Sequence, residues 1–536
     1  MNILFSQQFD QSSGLVQWSS DGRYLAVATG QRLVVRELAG ESIKIAKGGL
    51  KPCQDKIEAL EWASDSDLLL CALYKRSLVE VFSMSRPDWR CRIREGMAGL
   101  IRAQWTPDAR HVITFSDFGL HMSVWSLTTR QVHTVHQPKA PPGCITFSPD
   151  SRVMAIVTRR NCRDIVRLYN ASTWDSLGEF TAETLDLCNL EWSPNGSALC
   201  LQDTSLEYRV LFYSPTGELL GRVEAYSNAL GVKSIAWSPD GSLLSVGSYD
   251  QCARLVSAVT WKTVTVLKHV HPRTQPGCGK VACFHEEPMG QRREEEAEID
   301  KENDVDQNFA VGCSGVPANT LSRAPSLSSF VIGAAKGLKP RHFGRNSTLK
   351  PRISSKDVAT TYMSSLKKPI PEEKPDPCKP FPRLGVGQIM SWSSDGRYLV
   401  TRNDNMGSAL WVWDAEELSL STVVIQMEAV RSAKWCPIRN TLAICTGNTN
   451  VYFWSPEDSS SVEAPWKSFE IMGLRWSPDG KSLVLLSKEK FCRCILPEPG
   501  EPSQGRGEGE NREGYTDDHD VGGGVEEPNG EGVSII

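Results

Sequence analysis

The strongest constraint on this chain of 536 residues is an aromatic residue followed by a tight-turn sequence, which recurs nine times. Within each of two runs the copies lie about 41 to 45 residues apart, the period of a small repeated β-unit. The aromatic residues are Trp18, Trp62, Trp105, Phe147, Trp192 and Trp237, then, after a long interruption, Trp392, Trp435 and Trp476. In the clearest copies Asp-Gly or Asn-Gly follows, and these pairs tolerate the positive φ of hairpin turns. Each copy therefore predicts a strand, a turn and a second strand.

Short apolar runs follow each turn, and they have the length and the β-branched and aromatic content of strands. A unit of this period matches one four-stranded blade of a WD-type β-propeller. One blade cannot bury both of its faces, so neighbours must stack around an axis, and the repeated aromatic residues are expected to pack between blades. The predicted fold class is all-β.

The chain ends of the repeat region predict how the ring closes. The last repeat supplies three strands, whereas residues 3–5 precede the first full repeat and can complete the last blade. That pairing would remove two open sheet edges, which favours one ring of about nine blades. A seven- or eight-bladed ring with a stray unit, or two incomplete rings, also fits, because periodicity does not fix blade number.

Four regions follow from this pattern. Residues 1–269 are predicted to form blades 1–6 and residues 384–496 blades 7–9. Between them, residues 270–383 are rich in Pro, Ser and charge and are expected to be a largely disordered insertion, although residues 280–284 have a strand pattern. Residues 497–536, rich in Gly and Glu, are expected to be a disordered tail.

Composition limits the classes of partner. The net charge of −5 argues against a nucleic-acid platform. The 16 cysteines fall mostly inside strand patterns without paired CxxC spacing, as expected for reduced, buried cysteines of an intracellular protein. No signal peptide or membrane-spanning stretch is evident, so a cytosolic location and no membrane partner are expected.

Sequence signals for catalysis are lacking. The chain has no GxSxG turn, phosphate-binding Gly-rich loop with its Lys, HExxH or EF-hand pattern. Two histidine pairs, His133 with His136 and His269 with His271, suggest no third metal ligand. We therefore expect no enzyme activity, no catalytic residues, no metal and no cofactor.

Basic residues recur at the turn after the second strand of several blades. Blade symmetry should bring them to one face of the ring, where they could dock an acidic segment of a partner. Solvated loop charges are the alternative reading. The candidate rim residues are Lys75, Arg76, Arg159, Arg160, Arg402, Lys488 and Lys490.

Serines near basic residues mark the insertion. Ser326, Ser347 and Ser354 are candidate phosphorylation sites, and added phosphate would change the charge of this segment. A plain solvated spacer explains the same composition.

Several stretches resemble the family of WD repeat-containing protein eight. They are residues 32–36 (RLVVR), 74–79 (YKRSLV), 95–100 (EGMAGL), 206–208 (LEY), 246–250 (VGSYD), 259–262 (VTWK), 401–405 (TRNDN) and 411–414 (WVWD). One departure from ordinary WD repeats is the loss of the Gly-His pair, with Trp-Asp retained at a strand end only at Trp413-Asp414. The hydrogen-bonded tetrad of ordinary blades is therefore expected to be largely absent.

The resemblance implies a non-enzymatic scaffold at the centrosome, centriolar satellites or spindle pole, within the cytoplasm and cytoskeleton. It implies a coiled-coil anchoring partner of the synovial sarcoma X breakpoint-interacting type, with a minus-end-directed kinesin in fungi, and roles in microtubule minus-end anchoring, spindle assembly and cilium formation. Two alternatives remain, a substrate receptor of a cullin ubiquitin ligase and a translation-initiation propeller. The first would favour Arg where Glu416 follows Trp413-Asp414-Ala415.

Overall fold

The computed structural model describes residues 3–40, 42–139, 143–270, 281–288, 360–364, 370–376, 378 and 382–496. The chain divides into two compact units, residues 1–286 with 361–536, and residues 287–360. All blades described below are built on the first unit. The predicted phosphorylation sites Ser326, Ser347 and Ser354, most of the predicted insertion and all of the tail lie outside the described residues.

The described residues form nine β-sheets that follow one another along the chain, which confirms the predicted nine-bladed propeller. Each blade is an antiparallel meander whose strands we call A, B, C and D in chain order. Blade 1 comprises Val16–Trp18, Tyr24–Thr29, Arg32–Ala39 and Ser42–Pro52. Blade 2 comprises Ala59–Trp62, Leu68–Leu73, Leu78–Ser83 and Arg90–Arg94. Blade 3 comprises Arg102–Trp105, His111–Phe115, His121–Ser126 and Val132–His136. Blade 4 comprises Ile145–Phe147, Val153–Arg160, Arg163–Asn170 and Ser176–Thr181. Blade 5 comprises Asn189–Trp192, Leu199–Gln202, Val210–Tyr213 and Leu219–Val223. Blade 6 comprises Val232–Trp237, Leu243–Ser248, Cys252–Ser257 and Thr263–Lys268.

The remaining blades contain the two chain ends of the ring. Blades 7 and 8 comprise Val386–Trp392, Tyr398–Asn403, Ala409–Asp414 and Ser419–Ile425; and Ser432–Trp435, Leu442–Cys445, Asn450–Trp454 and Ser459–Glu463. Blade 9 comprises Gly473–Trp476, Ser482–Leu486 and Lys490–Ile495, and its fourth strand is supplied by Leu4–Phe5 and Phe9–Asp10. The helical segments of the described residues are single turns at Tyr74–Arg76, Gly96–Ala98 and Asp117–Gly119. No helix in the described ranges has the length and apolar character needed to cross a membrane.

A hydroxyl and a carboxylate shape the predicted hairpin turn between strands A and B. In blade 1, Ser19 Oγ donates to Asp21 Oδ1 at 2.6 Å and accepts from the backbone N–H of Tyr24 at 2.9 Å. Gly22 completes the turn with φ of +72°. The same side-chain bond recurs at Ser193–Asn195, Ser238–Asp240, Ser393–Asp395 and Ser477–Asp479. The turn sequence thus satisfies its own polar groups in each of these five copies.

Nine buried apolar clusters hold the ring together, one at each junction between neighbouring blades. The junction of blades 1 and 2, for example, packs Leu33 and Val35 against Trp62 and Leu69. Burial against the next blade, rather than within one sheet, removes most of this apolar surface from water. Blade stacking is therefore the main source of stability.

Six of the eight repeated tryptophans also form hydrogen bonds across the junctions, whereas the indole N–H groups of Trp192 and Trp237 have no partner among the described residues. The indole N–H donates to the backbone carbonyl of the residue that precedes the aromatic residue of the blade before it. Trp62 thus bonds the Gln17 carbonyl at 3.1 Å, and Trp435 bonds the Ser391 carbonyl at 3.0 Å. Equivalent bonds join Trp105 to Glu61, Trp392 to Ala236 and Trp476 to Lys434. The predicted packing of these residues between blades is what the structure shows.

The predicted closure by an N-terminal strand is also confirmed. Leu4 pairs with Ile495, and Phe9 pairs with Phe491, both in antiparallel register with the last strand of blade 9. At the same junction the Trp18 indole donates to the Arg475 carbonyl at 3.3 Å. The first and last repeats therefore join in the same way as consecutive repeats.

Blade 7 is larger than the other blades because two segments of the predicted insertion join it. Ala282–Pro288, close to the expected strand at 280–284, pairs in parallel with Ser419–Ile425, and Thr360–Ser364 follows it at the edge of the six-stranded sheet. Glu286 is buried at this edge, where its carboxylate accepts from the Tyr452 hydroxyl at 2.5 Å and the Met427 backbone N–H at 2.9 Å. The insertion is thus tied to the ring near its beginning.

Candidate partner-binding face

The antiparallel order of the strands assigns every connection to one of two faces. A–B and C–D turns lie on one face, which we call the AB face. B–C turns and the connections from one blade to the next lie on the opposite face, the BC face. Strand A lies nearest the axis, since A strands of adjacent blades contact one another. All the predicted rim residues lie in or beside B–C turns, and therefore on the BC face.

The blade 2 rim residues are exposed. Lys75 and Arg76 lie in the helical turn Tyr74–Arg76 between strands B and C. Arg76 Nε is 2.9 Å from Asp55 Oδ2, and this bond lowers the pKa of the Asp55 carboxyl. Lys75 has no ion pair with any carboxylate of the described residues. Its charge is available to solvent or to a partner.

In blade 4 the two predicted arginines differ. Arg159 is half-buried and lies 3.3 Å from Asp164, a fully buried carboxylate that also accepts from Lys139 Nζ at 3.0 Å and the Leu187 backbone N–H at 2.7 Å. Arg160 is exposed and faces Arg163 directly across the hairpin. Arg159 is therefore a structural cation, whereas Arg160 presents its charge outward.

The remaining predicted rim residues also divide. Arg402 is only 6% exposed, with Nη2 2.8 Å from Asp404 Oδ1 and further contacts to Gln388 and the Val430 carbonyl. Its charge is neutralised internally, so Arg402 is corrected from a rim residue to a buried one. Lys488 and Lys490 are exposed in and beside the blade 9 turn, and Lys490 Nζ donates to Gln8 Oε1 at 3.2 Å.

Blade 3 adds exposed apolar side chains that the sequence reading missed. Met97 is fully exposed and Phe118 is 88% exposed, in the connection before blade 3 and in its B–C turn respectively. Ile101 and Leu120 are about half exposed beside them. The sequence signal for Met97 and Phe118 was an apolar residue in a glycine-containing turn, where strand packing cannot bury it.

A buried carboxylate fixes these two loops of blade 3. Glu95 accepts hydrogen bonds from the hydroxyls of Thr114 and Ser123, each at 2.8 Å, and its Oε1 is 2.8 Å from His121 Nε2. The Trp125 indole in turn donates to Thr114 Oγ1 at 2.8 Å. Glu95 therefore joins the connection before blade 3 to strands B and C of that blade.

A hydrogen-bonded relay like that of the tetrad is present at the junction of blades 6 and 7, where the sequence keeps Trp413-Asp414. Trp413 Nε1 donates to Thr401 Oγ1 at 2.8 Å, and Thr401 Oγ1 is 2.6 Å from His269 Nε2. His269 Nδ1 donates to the Gln251 carbonyl at 3.1 Å, which completes the relay. Burial lowers the pKa of His269 to about 4, so the ring is neutral at physiological pH. The histidine was not recognised because the insertion separates it from its strand partners in sequence.

The AB side of the ring also holds a titratable group beside a cavity. A cavity of about 660 Å³ lies along the A strands of blades 2 and 3 and is lined by Glu61, Arg102 and Trp105. Burial raises the pKa of Glu61 to about 7, although the Trp105 backbone N–H donates to its carboxylate at 3.2 Å. Across the described part of the chain, no group of three or more His, Cys, Asp or Glu residues is arranged to hold a metal ion.

The chain is similar in sequence to known WD-repeat proteins. Residues 217–257 match the family model described as WD domain, G-beta repeat. The chain is 38% identical over 494 residues to the WD repeat-containing protein WRAP73 of Mus musculus, covering 92% of this chain and 96% of that protein. It is 22% identical over 418 residues to an uncharacterized WD repeat-containing protein of Schizosaccharomyces pombe, covering 74% and 71% of the two chains. The crystal structure of the C-terminal WD40 domain of Sif2 is similar with a TM-score of 0.45 and 9% identity, over 92% of this chain and 99% of that one.

Proposed function

Since the chain belongs to the WD-repeat protein family, with mouse WRAP73 as a relative along nearly its whole length, we propose that it is a protein-interaction scaffold at the microtubule-organising centre. WD-repeat propellers in general are non-catalytic platforms for protein binding. The cellular site and the partners are the specific part of the proposal.

The observation that carries the scaffold role is the uneven charge of the BC face. Lys75, Arg160 and Lys488 project from B–C turns of three blades and have no ion pair among the described carboxylates. The half-buried Arg159 and the buried Arg402 on the same side are instead matched by Asp164 and Asp404. Cations that the fold does not neutralise favour an acidic partner segment, and the charge would also speed its association.

The proposed location rests on the resemblance to the family of WD repeat-containing protein eight. The strings that carry it, including YKRSLV at 74–79 and EGMAGL at 95–100, lie on the BC face beside the exposed charges. In this proposal the protein binds a coiled-coil anchoring partner of the synovial sarcoma X breakpoint-interacting type at the centrosome, centriolar satellites or spindle pole. A minus-end-directed kinesin and microtubule-associated proteins would join the assembly, which would support minus-end anchoring, spindle assembly and cilium formation.

The experiment is localisation and co-purification of the tagged full chain from dividing cells. We expect a focus that coincides with a centrosomal marker, together with a co-purifying coiled-coil protein. Diffuse cytoplasmic signal without such a protein would contradict the cellular proposal, and co-sedimentation with ribosomes would favour the translation-initiation alternative.

The rim is tested by reversing Lys75, Arg76 and Arg160 to Glu in one variant. Arg159 is left unchanged because it stabilises the buried Asp164. The matched control reverses Arg23 and Arg152, which are exposed on the AB face. We expect the BC variant to lose the partner and the control to retain it; equal retention by both would contradict a basic docking rim.

A further inference from the structure

The blade 3 loops present a small apolar surface in an otherwise polar region. We define the blade 3 apolar patch as Met97, Ile101, Phe118 and Leu120, which are 107%, 41%, 88% and 54% exposed. Single exposed apolar residues are common, but here four occur in two neighbouring loops. The patch therefore has the character of a contact surface.

The two loops are held against each other and do not need to be assembled by a partner. A Cβ placed on Gly99 would lie only 3.0 Å from Asp117 Cβ, so the backbone of one loop contacts the other. Beneath them, Glu95 is bonded to Thr114, His121 and Ser123. A surface fixed in this way loses little conformational entropy when it binds.

Phe118 has a backbone conformation that its own packing does not explain. Its φ is +56°, in the left-handed region that disfavours residues with a Cβ. Strained backbone conformations of this kind are common at functional positions. A glycine would relieve it, yet the position carries a large aromatic side chain that is directed away from the core.

Exposed positive charge flanks the patch on both sides. On the blade 2 side, Lys75 and Arg94 are exposed without an ion pair among the described residues. On the blade 4 side, Arg160 and Arg163 oppose each other across a hairpin, an arrangement that is unfavourable without an anion between them. Apolar surface between two basic edges matches a ligand that is apolar along its middle and acidic along both sides.

We propose that the blade 3 apolar patch and these flanking cations form one docking site for an amphipathic acidic helix of a partner protein. A helix presents an apolar stripe bordered on both sides by charge, which fits this order of residues. An added β-strand is disfavoured because the four residues of the apolar patch lie in loops and not along a strand edge. The proposal rests on the scaffold function and specifies which blades bind and what chemistry they recognise.

The test uses the full chain and three labelled helical peptides of about 20 residues, followed by fluorescence anisotropy. The first peptide has a Leu stripe with Glu on both flanks, the second has Lys in place of Glu, and the third has Ser in place of Leu. We expect only the first to bind. Met97→Ser with Phe118→Ser should weaken it about tenfold or more, as should Arg160→Glu with Arg163→Glu.

Matched controls come from the AB face. Val259, 85% exposed in the C–D turn of blade 6, is changed to Ser as the apolar control, and Arg23→Glu with Arg152→Glu is the charge control. Neither control should change the affinity. Near-ultraviolet circular dichroism tests whether the ring is intact in each variant. We expect unchanged spectra, because the substituted side chains are exposed.

Several results would overturn the docking site. Equal binding of all three peptides would do so, as would an unchanged affinity of the Met97→Ser, Phe118→Ser variant for the first peptide. A third such result is that the first peptide binds tightly only after residues 294–296 are changed from Glu to Gln. The chain's own acidic stretch would then be the occupant of the site. A dimer that is lost in Met97→Ser with Phe118→Ser would instead assign the patch to a second copy.

The two proposals fail in different ways. If the coiled-coil partner co-purifies equally with the wild type and the patch variant, the docking site is wrong and the scaffold role stands. If the acidic peptide binds as expected but the tagged protein shows no centrosomal focus, the cellular role is wrong and the docking site stands.

Discussion

The buried His269 predicts a measurable loss of stability on acidification. The imidazole contacts the rings of Trp411 and Trp413, with centroid distances of 5.0 and 5.5 Å, and it is neutral because burial disfavours the charged imidazolium. The folded-state pKa is about 4, whereas an unfolded histidine titrates near 6.5. Between these values the unfolded chain binds the extra proton, so stability is complete above pH 6.5 and falls as the pH falls towards 4. From pH 7 to pH 5 this amounts to about 2 kcal/mol.

Glu61 predicts a change of the opposite sign over the same interval. Its folded-state pKa is raised to about 7, so the folded state holds a proton that the unfolded state has lost. The contribution of Glu61 to stability therefore increases as the pH falls from 7 to 5, again by about 2 kcal/mol. The two residues oppose each other in the wild type, and only variants can separate them.

The assay is equilibrium urea unfolding, followed by tryptophan fluorescence, of the wild type, His269→Asn and Glu61→Gln at pH 5, 6 and 7. Each variant is compared with the wild type at the same pH, which cancels the titration of all other groups. Relative to the wild type, His269→Asn should gain about 2 kcal/mol on going from pH 7 to pH 5, and Glu61→Gln should lose a similar amount. A His269→Asn profile parallel to that of the wild type would refute the burial of a neutral imidazole.

Three further predictions concern the junctions, blade 7 and the cysteines. Trp18→Phe removes the hydrogen bond at the closing junction and should lower the free energy of unfolding in urea by about 1 kcal/mol. Trp237→Phe should lower it little, because the buried indole N–H of Trp237 has no partner in the described part of the chain. Equal losses in the two variants would argue against the bond. Glu286→Gln places an amide where two donors meet and should lower the free energy of unfolding by about 1 to 3 kcal/mol, and an unchanged value would mean that the carboxylate does not fasten this strand. Maleimide mapped by mass spectrometry should label the exposed Cys162 but not Cys492, whose pKa burial raises to about 12; comparable labelling would contradict the packing of blade 9.

The blade architecture could be predicted because the residues that determine each blade lie within its own repeat. Trp392 and the Ser393-to-Asp395 turn, for example, form the same bonds as their counterparts in other blades. Closure was also accessible, since a three-stranded last repeat leaves one strand to be supplied by the other chain end. In both cases the determining residues are close in sequence or repeat at a fixed spacing.

The local environment of individual side chains could not be predicted in the same way. Arg402 occupies a position equivalent to exposed residues of other blades, but Asp404, Gln388 and the Val430 carbonyl enclose it. No turn sequence indicates the parallel pairing of Ala282–Pro288, because its partner strand lies beyond the insertion. Exposed residues such as Met97 depend on how loops from two blades meet, which periodicity does not specify.

Ring closure sets the order in which the molecule can be completed as it is synthesised. The hydrogen bond from the Arg493 backbone N–H to the Ser6 hydroxyl links residues that are 487 positions apart. Segments near residue 5 leave the ribosome early, yet their pairing partners emerge only after eight blades have been translated. Until then the nascent ring has two unprotected sheet edges. A chain stalled before residue 490 cannot close the ring, and its open sheet edges stay exposed to other nascent chains or to chaperones.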